Sequence, residues 1–461
     1  MLKRFNDWAA ERMVGLLLVT AALAAAGCTT GFAANPFITS IYTADPSAHV
    51  WPDGRLYVYP SRDIDPPRGC DLMDRYHVFS TDDLVHWRDE GEILNASQVS
   101  WGRPEGGFMW APDCAYKDGK YYFYFPHPSG SDWNKTWKIG VATSSKPASD
   151  FTPAGTIAGT GGFSMIDPAV FMDTDGQAYL YYGGGGNCTG VKLKPDLLEI
   201  DGDAQPMKGL EEFHEATWVF KRNGLYYLTY ADNNPGANRM RYATSASPLG
   251  PWTYKGVYLD PTDCDTSHGS VVEYKGQWYQ FYHNCVLSGR GNLRSVCVDR
   301  LDFDADGNIL KMVQTTNGVP AVGPAPGPDA NAVKYAAAGG TVGNGATLAD
   351  NGAAAGGKCA QNLHLPGSWL QFNAIDGGTS GCRATVTIHY ASADKAKLQL
   401  TVNGVDYSFI NTFSTGAWGT FADGAYETVP LQAGTNNVLK FTGGYGGVNV
   451  DYITVTPLPE P

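Results

Sequence analysis

The sequence predicts an all-β protein: a five-bladed β-propeller followed by a β-sandwich (jelly-roll) domain. Three observations carry that expectation. Among 461 residues, glycine (56) and tyrosine (26) are plentiful, while long amphipathic helical patterns are scarce. A unit of polar residue, short apolar strand, tight turn and aromatic strand recurs five times. Beyond a linker, the composition shifts to short strands that alternate apolar and polar residues. The length exceeds one ordinary core and requires two or three domains.

In chain order, residues 1–28 read as a targeting segment: Lys3, Arg4 and Arg12 precede the apolar run "MVGLLLVTAALAAAGC". The end of that run resembles a bacterial lipoprotein signal with Cys28 as the lipidated residue, although Ala25 stands where such signals prefer leucine. Ordinary cleavage after Ala26 or Ala34 is the alternative, and either route exports the chain to the periplasm, the outer membrane or the medium. A lipid on Cys28 would be its membrane contact, because no later stretch has 18 consecutive apolar residues. Eight cysteines follow Cys28, and their spacings contain no C-x-x-C pair. Disulfides are therefore expected ahead of a zinc site, with Cys359–Cys382 as the predicted pair.

Residues 35–317 hold the repeat. Its five copies are "ADPSAHVWPDGRLYVYPS" from Ala44, "APDCAYKDGKYYFYFP" from Ala111, "IDPAVFMDTDGQAYLYYG" from Ile166, "FHEATWVFKRNGLYYLTYAD" from Phe213 and "SHGSVVEYKGQWYQFYH" from Ser267. The leading residues Asp45, Asp113, Asp167, Glu215 and His268 are separated by 68, 54, 48 and 53 positions. Such a unit buries its faces only against its neighbours, and strands joined by hairpin turns make it a propeller blade. Inner strands of a propeller converge on one axis, so the five leading residues should meet. Asp-Pro also initiates turns, which would explain Asp45 or Asp167 singly; the alignment of five leaders argues for a shared pocket.

Carboxylates crowded in a partly closed cavity cannot all ionise freely. One that keeps its proton can protonate a leaving oxygen, while an ionised partner deprotonates water, which is what cleavage of a glycosidic bond needs. A gap of roughly 6.5–9.5 Å between them admits that water and inverts the anomeric centre. The net charge of −13 excludes nucleic acid as a partner, and twelve tryptophans suit a surface that stacks on sugars.

The motifs "ADPSAHVW", "WAPDCAY", "MIDPAVF", "FHEATW" and "SHGSVV", with "VFSTDDLVHW" and "LRSVCVDRLDFDADGNI", resemble glycoside hydrolase family 43 over roughly residues 35–317. The resemblance implies a five-bladed propeller and inverting hydrolysis, with Asp45 as general base, Glu215 as general acid and Asp167 tuning the pKa of the acid. It also implies that Arg294 approaches the sugar or the acid, and that His268 contacts a structural calcium ion; the chemistry itself requires no cofactor. Trp110 and Asp113 are candidate substrate contacts, and His214 is assigned no role. Members act on arabinose- and xylose-containing plant polysaccharides. The glycine- and aromatic-rich insert "NASQVSWGRPEGGFM" favours exo-action, with α-L-arabinofuranosidase ahead of β-xylosidase or a galactofuranosidase. A non-catalytic lectin is the rival reading, and a structural envelope protein ranks last. Oligomeric state is not encoded legibly.

Residues 318–332, within "TTNGVPAVGPAPGPDANA", read as a linker. Residues 333–457 carry "GSWLQF", "GAWGTF", "VPLQAGTNNVLKF" and "GGVNVDYITV", which resemble family 6 carbohydrate-binding modules and their relatives. That resemblance implies a glycan contact by Trp418, Asn449 and Tyr445. The opening "VKYAAAGG" lacks the glutamates that commonly bind calcium in such modules, which argues against that ion here.

Overall fold

The computed structural model describes residues 34–65, 71–132, 135–160, 164–234, 238–323 and 331–458. The predicted targeting segment, Cys28, Cys70 and the middle of the linker lie outside the described residues. Among those described, no helix is long and apolar enough to cross a membrane.

The first domain is five antiparallel sheets in succession, four with four strands and the fifth with three. Their first strands are Tyr42–Val50, Asp113–Lys117, Ala169–Met172, Glu215–Arg222 and Gly269–Tyr274. Each of these touches the next, and the fifth touches the first, so they form a closed circuit. Local chemistry explains the hairpins. At Asp118-Gly119, Asn223-Gly224 and Lys275-Gly276 both turn residues have positive φ, between 49° and 81°. That is the type I′ geometry, whose twist matches that of the strands it joins. The strands alternate so that tyrosines and phenylalanines fill the spaces between sheets; Tyr59, Tyr76, Phe123 and Phe125, for instance, pack as one cluster between the first two.

The circuit is closed by the start of the described chain. Asn35 N donates to Thr316 O at 2.9 Å, and Asn35 Nδ2 donates to Val298 O at 3.0 Å. Phe37 N reaches Val296 O at 3.1 Å, and its ring stacks on Trp87 at 4.1 Å between centroids. This segment therefore lies along the outer strand of the three-stranded sheet and joins it to the first.

The second domain has two sheets enclosing one core. One is ordered Thr347–Asp350, Lys358–Gln361, Asn449–Pro457, Cys382–Ala391, Ala422–Leu431, and the other Thr341–Gly343, Trp369–Ile375, Asn437–Tyr445, Ala396–Val402, Val405–Thr412. Leu370, Phe372, Ile388, Leu398, Leu439 and Ile453 meet between them. The expected Cys359–Cys382 disulfide is corrected here, since both thiols are free. Along Asn449–Pro457, Ala360 pairs with Val450 while Ala384 pairs with Pro457. Seven residues of extended chain, roughly 20 Å, thus separate the two cysteine neighbourhoods.

The two domains meet through a buried polar seam. Thr39 Oγ1 donates to Gly424 O at 2.8 Å, Asn411 N donates to Ser40 O at 3.1 Å, and Thr428 Oγ1 donates to Asp89 O. At its centre His77, Asp89 and Glu427 are all buried, with one potential ligand atom of each within 4.8 Å of the others. His77 Nδ1 lies 3.3 Å from Asp89 Oδ1, and Arg62 Nη1 lies 3.3 Å from His77 Nε2. Burial pushes the Glu427 carboxyl above its ordinary value; His77 opposes this and the charge of Asp89 adds to it.

Candidate active site

The ring gathers three acids by bending the chain at each of them. Asp45 and Asp167 have φ of 50° and 52°, and Ala216, beside Glu215, has 67°. Left-handed backbone is uncommon outside glycine, and the proline that follows each aspartate disfavours it further. Strain of this kind persists where the surrounding structure over-determines it, often at functional sites. Both aspartates are 5% exposed, which rules out solvated turn residues.

Asp45 is held by charge and hydrogen bonds. Its Oδ1 accepts from Arg294 Nη1 at 2.8 Å and its Oδ2 from Ser61 Oγ at 2.8 Å. Burial alone would raise the Asp45 carboxyl, but the Arg294 guanidinium foremost, with Ser61, holds it below its ordinary value. Arg294 also donates through Nε and Nη2 to Asp63, at 3.0 and 2.9 Å, and through Nη1 to Thr266 Oγ1 at 2.9 Å. Behind Asp45, its backbone N–H donates to His283 Nδ1 at 3.1 Å, and His283 Nε2 lies 2.9 Å from Thr266 O. Those partners fix a neutral tautomer with the proton on Nε2; burial lowers this imidazole to about 4.

The other two acids are pushed the opposite way. Burial, then the charges of Glu215 and Asp45, raise Asp167 well above the carboxylate range. Its Oδ2 accepts from Ala216 N at 2.7 Å, which ties it to the residue beside Glu215. Burial also raises Glu215, opposed by His214 at 3.7 Å and reinforced by Asp45. Glu215 Oε1 accepts from Asn233 Nδ2, and its side chain keeps 18% exposure against 6% for Asp167. Three neighbouring acids are thus split, with Asp45 held below its ordinary value and Asp167 and Glu215 pushed above theirs, Glu215 being the more open of the two.

His268 reaches the same place: its Nε2 is 3.7 Å from Asp167 Oδ2, and neither ring nitrogen has a hydrogen-bond partner although the residue is 8% exposed. Burial lowers it to about 4. Trp110 sits in an aromatic wall with Trp137, 4.6 Å away, and Phe108, 5.8 Å away; its carbonyl accepts from Tyr76 OH. The insert before it is ordered, with Met109 N donating to Met73 O at 2.9 Å and Trp101 stacked on Phe125.

Asp113 departs from the expectation of a sugar contact. Its Oδ1 takes His49 Nε2 at 2.6 Å, Cys114 N at 2.7 Å and Ser47 Oγ, and its Oδ2 takes Val170 N at 2.5 Å. Buried at 1% exposure and hydrogen-bonded at both oxygens, Asp113 ties the first three sheets together. It lines a cavity shared with His49, Trp51 and Trp218, to which Asp45, Asp167 and Glu215 do not contribute. Sequence reasoning missed Ser61, Asp63, His283 and Asn233. The first two were within reach, because Tyr59, Ser61 and Asp63 alternate on one strand in the period-2 pattern that faces one side.

In the second domain Trp418 (46% exposed) and Tyr445 (44% exposed) are among the large hydrophobic residues left open to solvent. The Trp418 ring covers Gly447, where a β-carbon would come within 2.3 Å of Cη2. Asn449 Nδ2 donates to Trp418 O at 3.0 Å, so this asparagine braces the tryptophan loop.

Residues 33–309 match the glycosyl hydrolases family 43, and residues 349–455 match the carbohydrate binding module (family 35). The second match corrects the family 6 assignment while keeping the carbohydrate-binding class. A xylosidase/arabinosidase of Bacteroides ovatus is 37% identical over 58% of this chain and 94% of its own length. An arabinoxylan arabinofuranohydrolase of Bacillus subtilis is 30% identical over 91% of both chains. A family 43 β-xylosidase/α-arabinofuranosidase from a compost microbial metagenome, crystallised with xylotriose in a calcium-free form, superposes with a TM-score of 0.56 at 35% identity, covering 61% of this chain and 98% of that one. By the extent of the family match and of these relatives, the chain belongs to glycoside hydrolase family 43 and carries a family 35 carbohydrate-binding module at its C-terminal side.

Proposed function

We propose that the protein is an inverting, exo-acting glycoside hydrolase that releases arabinose or xylose from arabinoxylan-type plant polysaccharide, with α-L-arabinofuranosidase activity foremost. We read the ring of five sheets as a five-bladed propeller and the two-sheet domain as a jelly-roll sandwich. The observation that carries the functional reading is the split among three neighbouring acids, one held below its ordinary carboxylate value by Arg294 and two pushed above theirs by burial. Asp45 acts as base toward a water molecule and Glu215 donates its proton to the leaving oxygen. Asp167 positions Glu215 through Ala216 and, when ionised, holds the proton on it. Arg294 keeps Asp45 charged and oriented.

The names of the relatives favour xylan side chains and ends as substrates, and the ordered insert with the Trp110 wall favours a pocket over an open groove. β-Xylosidase activity is the second reading, supported by relatives that carry both names. Incubation with arabinoxylan and with nitrophenyl arabinofuranoside and xylopyranoside separates the two. Glu215→Gln should retain binding and lose turnover by orders of magnitude; equal sugar release by variant and wild type would establish a lectin instead. His268, a buried imidazole lacking a hydrogen bond beside Asp167, fits a calcium ion only as a peripheral contact, since calcium favours oxygen donors. Bound there, the ion would stiffen the pocket. Export, with Cys28 lipidated, is tested by the mass of the mature N-terminus.

A further inference from the structure

Seven cysteines are free among the described residues, and two of them face each other. Cys264 lies between the fourth and fifth sheets, and Cys285 directly follows the strand Gln277–Asn284. Both are buried, at 7% and 8% exposure. They converge on one carbonyl: Cys264 Sγ is 3.6 Å and Cys285 Sγ 4.0 Å from Thr262 O, and Cys285 Sγ is 3.1 Å from Asp263 O. The segment they border supports the acids. Thr266 Oγ1 accepts from Arg294 Nη1, Thr266 O meets His283 Nε2, and Ser267 N donates to Asn233 Oδ1, whose amide nitrogen bonds Glu215. Asp265 N donates to Gly291 O at 3.0 Å, and Asn238 Nδ2 to Cys264 O at 2.8 Å, completing its anchorage.

We propose that Cys264 and Cys285 are a modification site, oxidised by a protein or glutathione disulfide to a cross-link that clamps the segment supporting both Asp45 and Glu215. The Cys285 thiol, lowered to about 7 chiefly by the neighbouring Cys264 thiol, is the attacking group. Its thiolate displaces one thiolate from the oxidant, forming a mixed disulfide. Cys264, deprotonated in turn, attacks the Cys285 sulfur of that bond and releases the second oxidant thiolate. Two protein thiols become one disulfide, and two electrons and two protons pass to the oxidant. Closing the twenty intervening residues into a loop removes freedom from the unfolded chain.

The test uses the full chain incubated with glutathione disulfide, alkylated while denatured, digested without reductant and analysed by mass spectrometry. A peptide linking Cys264 to Cys285 is expected, absent from Cys264→Ser and from Cys285→Ser. Mild reduction should lower Tm by several degrees in wild type and leave the Tm of either variant unmoved. Recovery of both cysteines as alkylated peptides after oxidation, or pairing of either with another cysteine, overturns the proposal. These readouts do not depend on which sugar the enzyme releases.

Discussion

Replacing Arg294 separates its two consequences for Asp45. The guanidinium makes two hydrogen bonds to Asp63, one to Asp45 and one to Thr266, and the residue is 6% exposed. Arg294→Met leaves two buried carboxylates facing each other without a counter-charge. Breaking a buried pair by deleting one partner costs about 3–5 kcal/mol, which for a domain of this size corresponds to a Tm drop on the order of 10 °C. The sign with pH follows from Asp45. A carboxyl whose folded pKa is depressed adds stability above the unfolded carboxyl value and loses it as pH falls through the folded one. The difference between wild type and variant should therefore be large at neutral pH and shrink in acid. Catalysis should respond separately: the acid limb of kcat/KM moves upward in Arg294→Met, because the base now protonates sooner. Arg294→Lys restores the charge but not the fork that bridges two acids, and should restore part of both effects. Calorimetry across pH and a pH-rate profile on a nitrophenyl glycoside measure the two. If Tm falls while the acid limb stays put, Arg294 is a packing residue and the account of Asp45 fails.

Three further outcomes are expected. Asn233→Ala removes a donor that opposes the raised pKa of Glu215, so the alkaline limb of kcat/KM, where the acid loses its proton, should move further up; a downward move contradicts the assignment. Glu427, faced by His77, Asp89, Arg62 and Ser408, has a raised folded pKa, so its contribution is full below the unfolded carboxyl value and lost as pH rises through the folded one. Glu427→Gln, neutral throughout, should match wild type near pH 4 and melt higher near pH 8, as thermal scans at both will show. Trp418→Ala should weaken retention on insoluble arabinoxylan about tenfold or more, in line with the loss of an aromatic anchor, and leave kcat/KM on nitrophenyl glycosides unchanged; equal retention removes Trp418 from the binding surface.

The hairpins were legible because their signals are local. Asn223-Gly224 and Lys275-Gly276 adopt the positive φ values that such turns require, and the aromatic strands that follow them keep a period of two. The leading acids could be aligned for the same reason, and Asp45, Asp167 and Glu215 converge as that alignment implied. Asp113 has the same sequence context and a different fate, because whether an inner-strand acid meets sugar or backbone depends on the adjoining sheet, here through Val170 N. His283 and Asn233 were invisible for a related reason: each acts across a gap between sheets, on a partner 238 and 18 positions away, with no periodic mark. Proximity in sequence suggests pairing Cys359 with Cys382, whereas strand order in the second domain places them at opposite ends of a shared neighbour.

The bonds from Asn35 to Val298 and Thr316 set an order of events. Residues made early must wait for partners more than 260 positions later before the circle can shut. Contacts so distant are slow to form, and until they do the first and fifth sheets each present an open edge. Ribosomal synthesis therefore yields an unlatched arc for most of its duration, and extensions fused just ahead of Asn35 will bear on how readily that latch engages.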